Sequence, residues 1–209
     1  MRGKFLVLEG VDGSGKSTQA EAMVTWLQAA GRSPLHLREP GTTVIGEQLR
    51  ALLLNPERDS WDAETEALLF FAARRELLRQ EVAPALAAGH DVICERFTPS
   101  TLAYQGQGEG TSEFILNLDS LVVPEDLQPG LVLILDLAPE ESLARAKQCG
   151  QPDAMEVRGT AFQEGVRRGY RAYAKARPKQ SHWLDVTGMS PAQVFEALRP
   201  PLQQFFQVS

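Results

Sequence analysis

The sequence predicts an α/β fold built on a mostly parallel sheet, and three observations support that prediction. Short continuous apolar runs recur along the chain, as strands covered on both faces require. Segments with helical apolar spacing separate these runs, so strands and helices alternate in the order of a crossover-connected parallel sheet. The first run, Phe5–Leu8, leads straight into the glycine-rich stretch Gly10-Val11-Asp12-Gly13-Ser14-Gly15-Lys16-Ser17, which a helical pattern follows.

Taken in order, the strand expectations are Phe5–Glu9, Pro34–Arg38, Val92–Glu95, Leu131–Leu137 and Trp183–Val186. The helical expectations are Lys16–Ala30, Val44–Leu54, Ala63–Ala88, Pro99–Gly106, Glu113–Val123, Pro139–Lys147, Ala161–Ala176 and Pro191–Phe206. Gly31 and Gly89 stand where a left-handed C-cap ends a helix. In the long central helix Ala67, Leu68, Phe70, Phe71, Leu77, Leu78 and Val82 recur at three- and four-residue spacing, which predicts burial of much of its surface. At 209 residues, with no repeat and no low-complexity linker, residues 1–209 read as one domain.

Composition narrows the function classes. The chain is 43% hydrophobic and 23% charged, with 21 Lys and Arg against 27 Asp and Glu, a formal net charge of −6. That balance argues against a nucleic-acid binder relying on bulk positive charge. No run approaches the roughly twenty apolar residues of a membrane span, and no leader peptide is recognisable, so a cytoplasmic protein without membrane attachment is expected. Two cysteines make no disulfide framework: Cys94 is expected in the core and Cys149 in a polar loop. The histidines His36, His90 and His182 are scattered without metal-ligand spacing.

The stretch Gly10–Ser17 matches the phosphate-binding pattern G-x-x-x-x-G-K-[ST] between a strand and a helix. Gly10, Gly13 and Gly15 let the backbone turn tightly and approach an anion, and the N–H groups of the loop and of Thr18 point at phosphates. Lys16 is expected to reach the β- and γ-phosphates of a nucleoside triphosphate, and the Ser17 hydroxyl to bind Mg²⁺. The chain is thus expected to adopt the P-loop NTPase fold, an α/β/α arrangement of three layers. In such sheets ligands bind beyond the carboxyl ends of the strands. Glu9, Arg38-Glu39-Pro40, Glu95-Arg96, Asp136 and Asp185 gather there, a set that suits two phosphate-bearing substrates and a metal. Arg38 and Arg96 are candidates for a second anion, since a guanidinium binds phosphate through paired, charge-assisted bonds. The alternative is that each is a structural ion pair with Glu39 or Glu95 beside it in sequence, a reading weakened because both arginines terminate strands on the side of the glycine-rich loop.

The motifs Gly10–Thr18, Arg38-Glu39-Pro40-Gly41, Phe70-Phe71-Ala72-Ala73-Arg74, Glu95-Arg96-Phe97 and Ser100-Thr101-Leu102-Ala103-Tyr104-Gln105-Gly106 occur in order at spacings that resemble the thymidylate kinase family, from Phe5 to about Asp185. Gly13 makes the likeness closest to the bacterial form. The resemblance implies a five-stranded sheet in the order 2-3-1-4-5, a homodimer packed through helices, and Mg²⁺-dependent transfer from ATP to dTMP. It implies that Phe70 stacks on the thymine ring, Arg74 bonds its edge, Thr101 lies near the ring N3 and Gln105 near the base. Tyr104 is implied to pack under the sugar, Asp12 to contact the 3′-hydroxyl, and Arg38 and Arg96 to hold the acceptor phosphate. From the residues alone, Phe70 and Tyr104 could equally serve packing.

Two departures from the family pattern stand out. Glu95 replaces the usual Asp, where it is implied to act at the metal with Ser17. In the lid expected at about 145–158, Asp153 is followed by Ala154 where an Arg is usual. Arg145, Lys147 or Arg158 are the candidate replacements, with Arg145 alternatively stacking on adenine, and Glu156 matches a carboxylate near the metal. Gly150 and Pro152 suit a moving loop. The helix residues Arg167, Arg168, Arg171, Lys175 and Arg177 read mostly as a solvated face. Glu-Arg also occurs in deoxynucleoside kinases, with the Glu as general base, so Glu95 opens the alternative of a thymidine kinase. A nucleoside hydroxyl must lose a proton, whereas a monophosphate with a second pKa of about 6 needs arginines rather than a base. A P-loop switch or binding module is the third class; the Asn-Lys-x-Asp motif of GTPases is absent from the sequence.

Overall fold

A computed structural model describes residues 2–146 and 153–208. Among them, five parallel strands form one sheet in the order β2-β3-β1-β4-β5. The strands are β1 (Phe5–Gly10), β2 (Leu35–Arg38), β3 (Val92–Glu95), β4 (Leu131–Asp136) and β5 (Ser181–Asp185). The helices are α1 (Lys16–Ala29), α2 (Val44–Leu54), α3 (Ala63–Leu77), α4 (Ala83–Ala87), α5 (Thr98–Tyr104), α6 (Thr111–Val122), α7 (Pro139–Ala146), α8 (Thr160–Ala176) and α9 (Pro191–Phe206). Both the parallel sheet and its strand order agree with expectation.

Position in the sheet decides which strands are covered. All of β1 and β4 is buried, consistent with their Phe-Leu-Val-Leu and Leu-Val-Leu-Ile-Leu runs. The edge strands β2 and β5 are only partly covered, so the expectation of two-sided burial fails for them. β5 also starts two residues earlier than the apolar signal, because Ser181 pairs with Val132 of β4 and backbone pairing ignores side-chain polarity.

The long helix expected over Ala63–Ala88 is not continuous. It breaks into α3, a π-helical turn at Leu78–Val82, and α4. Pro84 explains the change: it has no N–H to donate backwards, and its ring crowds the preceding carbonyls, so the turn before it widens. Asp62 caps α3 by accepting from the Thr65 N–H at 2.8 Å. Phe71, Leu77, Leu78 and Val82 are core residues as expected, but Leu68 is 50% exposed. Cys94 is buried as expected, whereas Cys149 and Lys147 lie outside the described residues. Helices α5 and α8 lie so close that a Cβ on Gly169 would sit 2.7 Å from the Ala103 Cα. This approach brings Tyr104 and Tyr170 edge to face, 6.4 Å between ring centres, beneath the end of β1.

Candidate active site

The turn after β1 sets the first half of the site. Gly10, Gly13 and Gly15 all take positive φ, at 141°, 75° and 90°. At Gly10 no other residue fits, since a Cβ would lie 2.4 Å from the Leu135 carbonyl oxygen. Lys16 folds back over the loop and donates to the carbonyls of Gly10 at 3.1 Å and Val11 at 2.9 Å. Burial pulls its pKa down to about 8, aided by Arg96 and opposed by Asp12. Val11 and Ser14 are buried, while Asp12, Gly13, Ser14, Gly15, Lys16, Ser17 and Thr18 line one cleft with Arg38, Arg50, Glu95, Arg96 and Arg145.

Arg96 joins this loop to a second pocket. Its backbone φ is 68°, a left-handed value that is strained for a residue with a side chain. Its N–H donates to Leu8 O at 3.0 Å, and its guanidinium donates to Asp12 Oδ1 at 2.5 Å, Gly10 O at 3.2 Å and Tyr170 Oη at 3.3 Å. Burial works against the charge of Arg96, but Asp12, Tyr104, Tyr170 and Glu9 together outweigh it and the guanidinium stays protonated. Burial likewise opposes ionisation of Asp12, yet Arg96 and Lys16 hold its carboxyl below the ordinary range. Under this contact lies Glu9, which accepts from the Phe97 N–H at 2.8 Å, Ser100 Oγ at 2.6 Å and Tyr170 Oη at 3.0 Å. Burial raises the Glu9 pKa against those bonds.

The second pocket is lined by Asp12, Glu39, Phe70, Arg74, Arg96, Thr101, Tyr104, Gln105, Arg50 and Met155, among others. Its polar wall is wired internally. Arg74, 1% exposed, donates from Nε to Glu39 Oε2 at 2.8 Å and from Nη2 to Thr101 Oγ1 at 3.0 Å. Arg74 Nη1 and Glu39 Oε1 are buried without a protein partner. Groups so placed are costly unless a ligand satisfies them. Tyr104 Oη donates to Asp12 Oδ2 at 3.2 Å, and burial drives its pKa far upward, so it stays a phenol. Gln105 Nε2 donates to the fully buried Glu66 at 2.9 Å, which leaves its carbonyl oxygen free of that bond. Phe70 is partly buried and lines the pocket, while its neighbour Phe71 takes the core position.

Together, the two pockets meet along Asp12, Glu39, Arg50 and Arg96: one side is a glycine-rich loop before a helix, the other a slot with an aromatic face and a planar buried donor. The family comparisons agree with that arrangement. The thymidylate kinase family model matches residues 8–196. This chain belongs to the thymidylate kinase family. It is 44% identical over 185 residues to the thymidylate kinase of Jannaschia sp. (strain CCS1), covering 88% of each chain. To that of Ectopseudomonas mendocina (strain ymp) it is 45% identical over 206 residues, 97% of each. The crystal structure of thymidylate kinase from Ehrlichia chaffeensis superimposes with a TM-score of 0.76 at 30% identity, covering 97% of this chain and all of that one. That of Candida albicans gives the same TM-score at 26% identity, covering 97% and 92%.

Against this thymidylate kinase frame, several residues sit differently from the sequence reading. Arg38 is 52% exposed and pairs with Glu47 of α2 at 3.0 Å, placing it at the cleft mouth. Arg50 was not singled out from sequence, yet it lines both pockets and donates to Pro40 O at 3.0 Å; burial and then Arg38 lower its pKa. Its only sequence signal is a basic residue inside the apolar helix α2. Ser100 and Met155 were also missed as lining residues. Ala154 is buried with its N–H on Leu54 O at 3.2 Å, packed against the end of α2. Arg158 does not face the cleft charges: it pairs with Glu66, which also binds Arg58 at 2.5 Å. Arg145 pairs with Glu141 and reaches Gly13 O at 3.4 Å, keeping it beside the loop. The Glu156 side chain lies outside what is described. Arg167 and Arg171 are not simply solvated, since both pair with the buried Asp136, Arg167 through two bonds at 2.6 and 2.7 Å; Arg168 is exposed as expected.

Proposed function

We propose that this chain performs the reaction of its family, moving the γ-phosphoryl group of ATP onto dTMP to give ADP and dTDP, the step that feeds dTTP synthesis. The observation that carries the reading is the shared edge of the two pockets at Asp12 and Arg96, which sets a nucleoside-shaped slot against a triphosphate loop. A phosphate oxygen of dTMP attacks the γ-phosphorus in line; the new P–O bond forms as the bond to the β-phosphate oxygen breaks, and ADP leaves with that electron pair. Lys16 and the loop amides hold the donor phosphates, with Arg145 beside the loop toward the adenine side. Arg96, Arg38 and Arg50 bring positive charge to the acceptor phosphate and offset repulsion between two anions. Phe70 stacks on thymine, and Arg74 and Thr101 meet its edge with Gln105 beside them. Arg74 Nη1, buried and unpartnered, is the donor awaiting a base oxygen. Tyr104 and Asp12 face the sugar, where the phenol ring leaves little room for a 2′-hydroxyl.

Mg²⁺ fits the residues present. Ser17 Oγ donates to Glu95 Oε2 at 2.8 Å, so a hydroxyl and a carboxylate, both hard oxygen donors, lie together beside Lys16. Burial opposes ionisation of Glu95, but hydrogen bonds from His36 and Ser17 and the charge of Lys16 hold its pKa below the ordinary range. Ser17 and Glu95 would hold the ion, which would supply positive charge to offset that of the donor phosphates. Glu95 lines the cleft of the triphosphate loop, and its two oxygens are taken by His36 and Ser17, so it is badly placed to act as base toward a thymidine hydroxyl. The thymidine kinase alternative is accordingly not favoured.

We further propose a single domain with a lid over about 145–158, a cytoplasmic location and a homodimer. Exposed apolar side chains on α2, α3 and α6, namely Ile45, Leu52, Leu68, Leu116 and Leu121, support the dimer. No described helix is long and apolar enough to cross a membrane. An acceptor panel with ATP and Mg²⁺ tests the function. Turnover is expected with dTMP, weaker use of dUMP, and none with thymidine, CMP or AMP; phosphorylation of thymidine without dTMP would overturn the reading.

A further inference from the structure

Glu95 has a feature that the reaction as described does not use. Its Oε1 lies 2.8 Å from His36 Nε2, while its Oε2 accepts from Ser17. A carboxylate only accepts, so the ring must donate from Nε2. His36 comes from the neighbouring strand, where the β2–β3 register sets Arg38 opposite Glu95 and His36 opposite Ile93, two residues back. The extra methylene of Glu relative to Asp gives the side chain one more rotatable bond, and an unrestrained Glu would spread its carboxylate over several rotamers. His36 removes that freedom from one side and Ser17 from the other. The contact lies at the open edge of the sheet, with the Glu95 side chain 12% and the His36 side chain 28% exposed.

We propose that His36 is a positioning residue for phosphoryl transfer: by gripping Oε1 it aims the Glu95 carboxylate at Ser17 and the metal side of the triphosphate loop, so that the longer side chain serves where a shorter one would need no support. The proposal rests on the reading of Ser17 and Glu95 as the metal-side pair. It assigns His36 no contact with either substrate.

The test is a cycle of His36→Leu, Glu95→Asp and the double variant, with His36→Gln as the variant that keeps an N–H donor. In the wild-type background His36→Leu should lower kcat about tenfold with the KM for dTMP unchanged, the size expected for loss of one hydrogen bond to a charged group. An Asp at position 95 withdraws from the ring, so His36→Leu should cost less than about twofold in the Glu95→Asp background. His36→Gln should recover most of the rate. Calorimetric binding of ADP supplies a readout apart from turnover: His36→Leu should weaken ADP binding in the presence of Mg²⁺ and leave binding in EDTA unchanged. Equal weakening with and without Mg²⁺, or a full tenfold loss in both backgrounds, would mean that His36 only supports the fold, and the proposal fails. If wild-type protein does not phosphorylate dTMP, the functional reading fails instead, and the ADP contrast still decides the role of His36.

Discussion

The cleft of the triphosphate loop and the acceptor pocket share Asp12, Glu39, Arg50 and Arg96, yet their remaining parts are assembled by different means. The loop uses the consecutive residues Gly10–Ser17, and in the function proposed above its binding groups are mainly backbone N–H groups and one lysine. The pocket takes Glu39 after β2, Phe70 and Arg74 from α3, Thr101 and Tyr104 from α5, and Met155 from beyond residue 152. A highly charged triphosphate can be held by a local structure, because aligned amides at a helix N-terminus already form an anion site. A neutral ring offers no such handle. It requires shape and matched donors, and those donors must be buried and held by one another, as Arg74 is by Glu39 and Thr101. The loop should therefore be separable from fold stability, and the pocket should not.

The sharpest test of that separation is Lys16→Ala, expected to cut kcat about 10³-fold, in the range seen when one preorganised charge-stabilising donor is lost. Thermal unfolding should stay close to wild type, since the ammonium is a desolvated charge bound to two carbonyls rather than a core support. A large drop in melting temperature would break the comparison.

Arg74→Met should do the reverse. Removing one partner of a buried pair strands Glu39, at a cost of about 3 kcal/mol in denaturant-derived stability. The KM for dTMP should rise while ATP binding, followed by calorimetry, stays the same. Stability within about 1 kcal/mol of wild type would show that the pocket's wiring is not part of the fold's support.

The smallest effect is a pH dependence. Burial pushes the Glu39 pKa from 4.5 up to about 7, against the pull of Arg74. A raised folded-state value means that this group's contribution is complete below the unfolded pKa and is lost as pH climbs through 7. The melting temperature of wild type relative to Glu39→Gln should therefore fall between about pH 5 and pH 8. A flat or rising difference would mean that Arg74 keeps Glu39 ionised throughout.

Most of the loop was legible in the sequence, because eight adjacent residues specify both its backbone and its chemistry. Phe70, Arg74, Thr101, Tyr104 and Gln105 were legible only through resemblance, since nothing in their spacing distinguishes a base pocket from helix packing. Arg50 was not legible at all: a basic residue at the end of an apolar helix turn looks like a solvated side chain until α2 is placed across the cleft. Arg167 and Arg171 failed for the same reason, as the buried Asp136 that claims them lies on a strand far away in the chain. Within the central helix the apolar period is visible in the sequence, but a period alone does not show that the turn before Pro84 widens.

By itself, then, the sequence determined the alternation of strands and helices, the parallel sheet and the phosphate-binding turn, all of which follow from local periodicity and short-range backbone geometry. Tertiary structure decided which strands lie at the edges, which arginines face the cleft and which are consumed by buried carboxylates. It also decided that Glu95 is held by a histidine from the next strand. These outcomes depend on pairings between distant residues, whose energies are set by burial and by which opposite charge or donor the fold brings within about 3 Å.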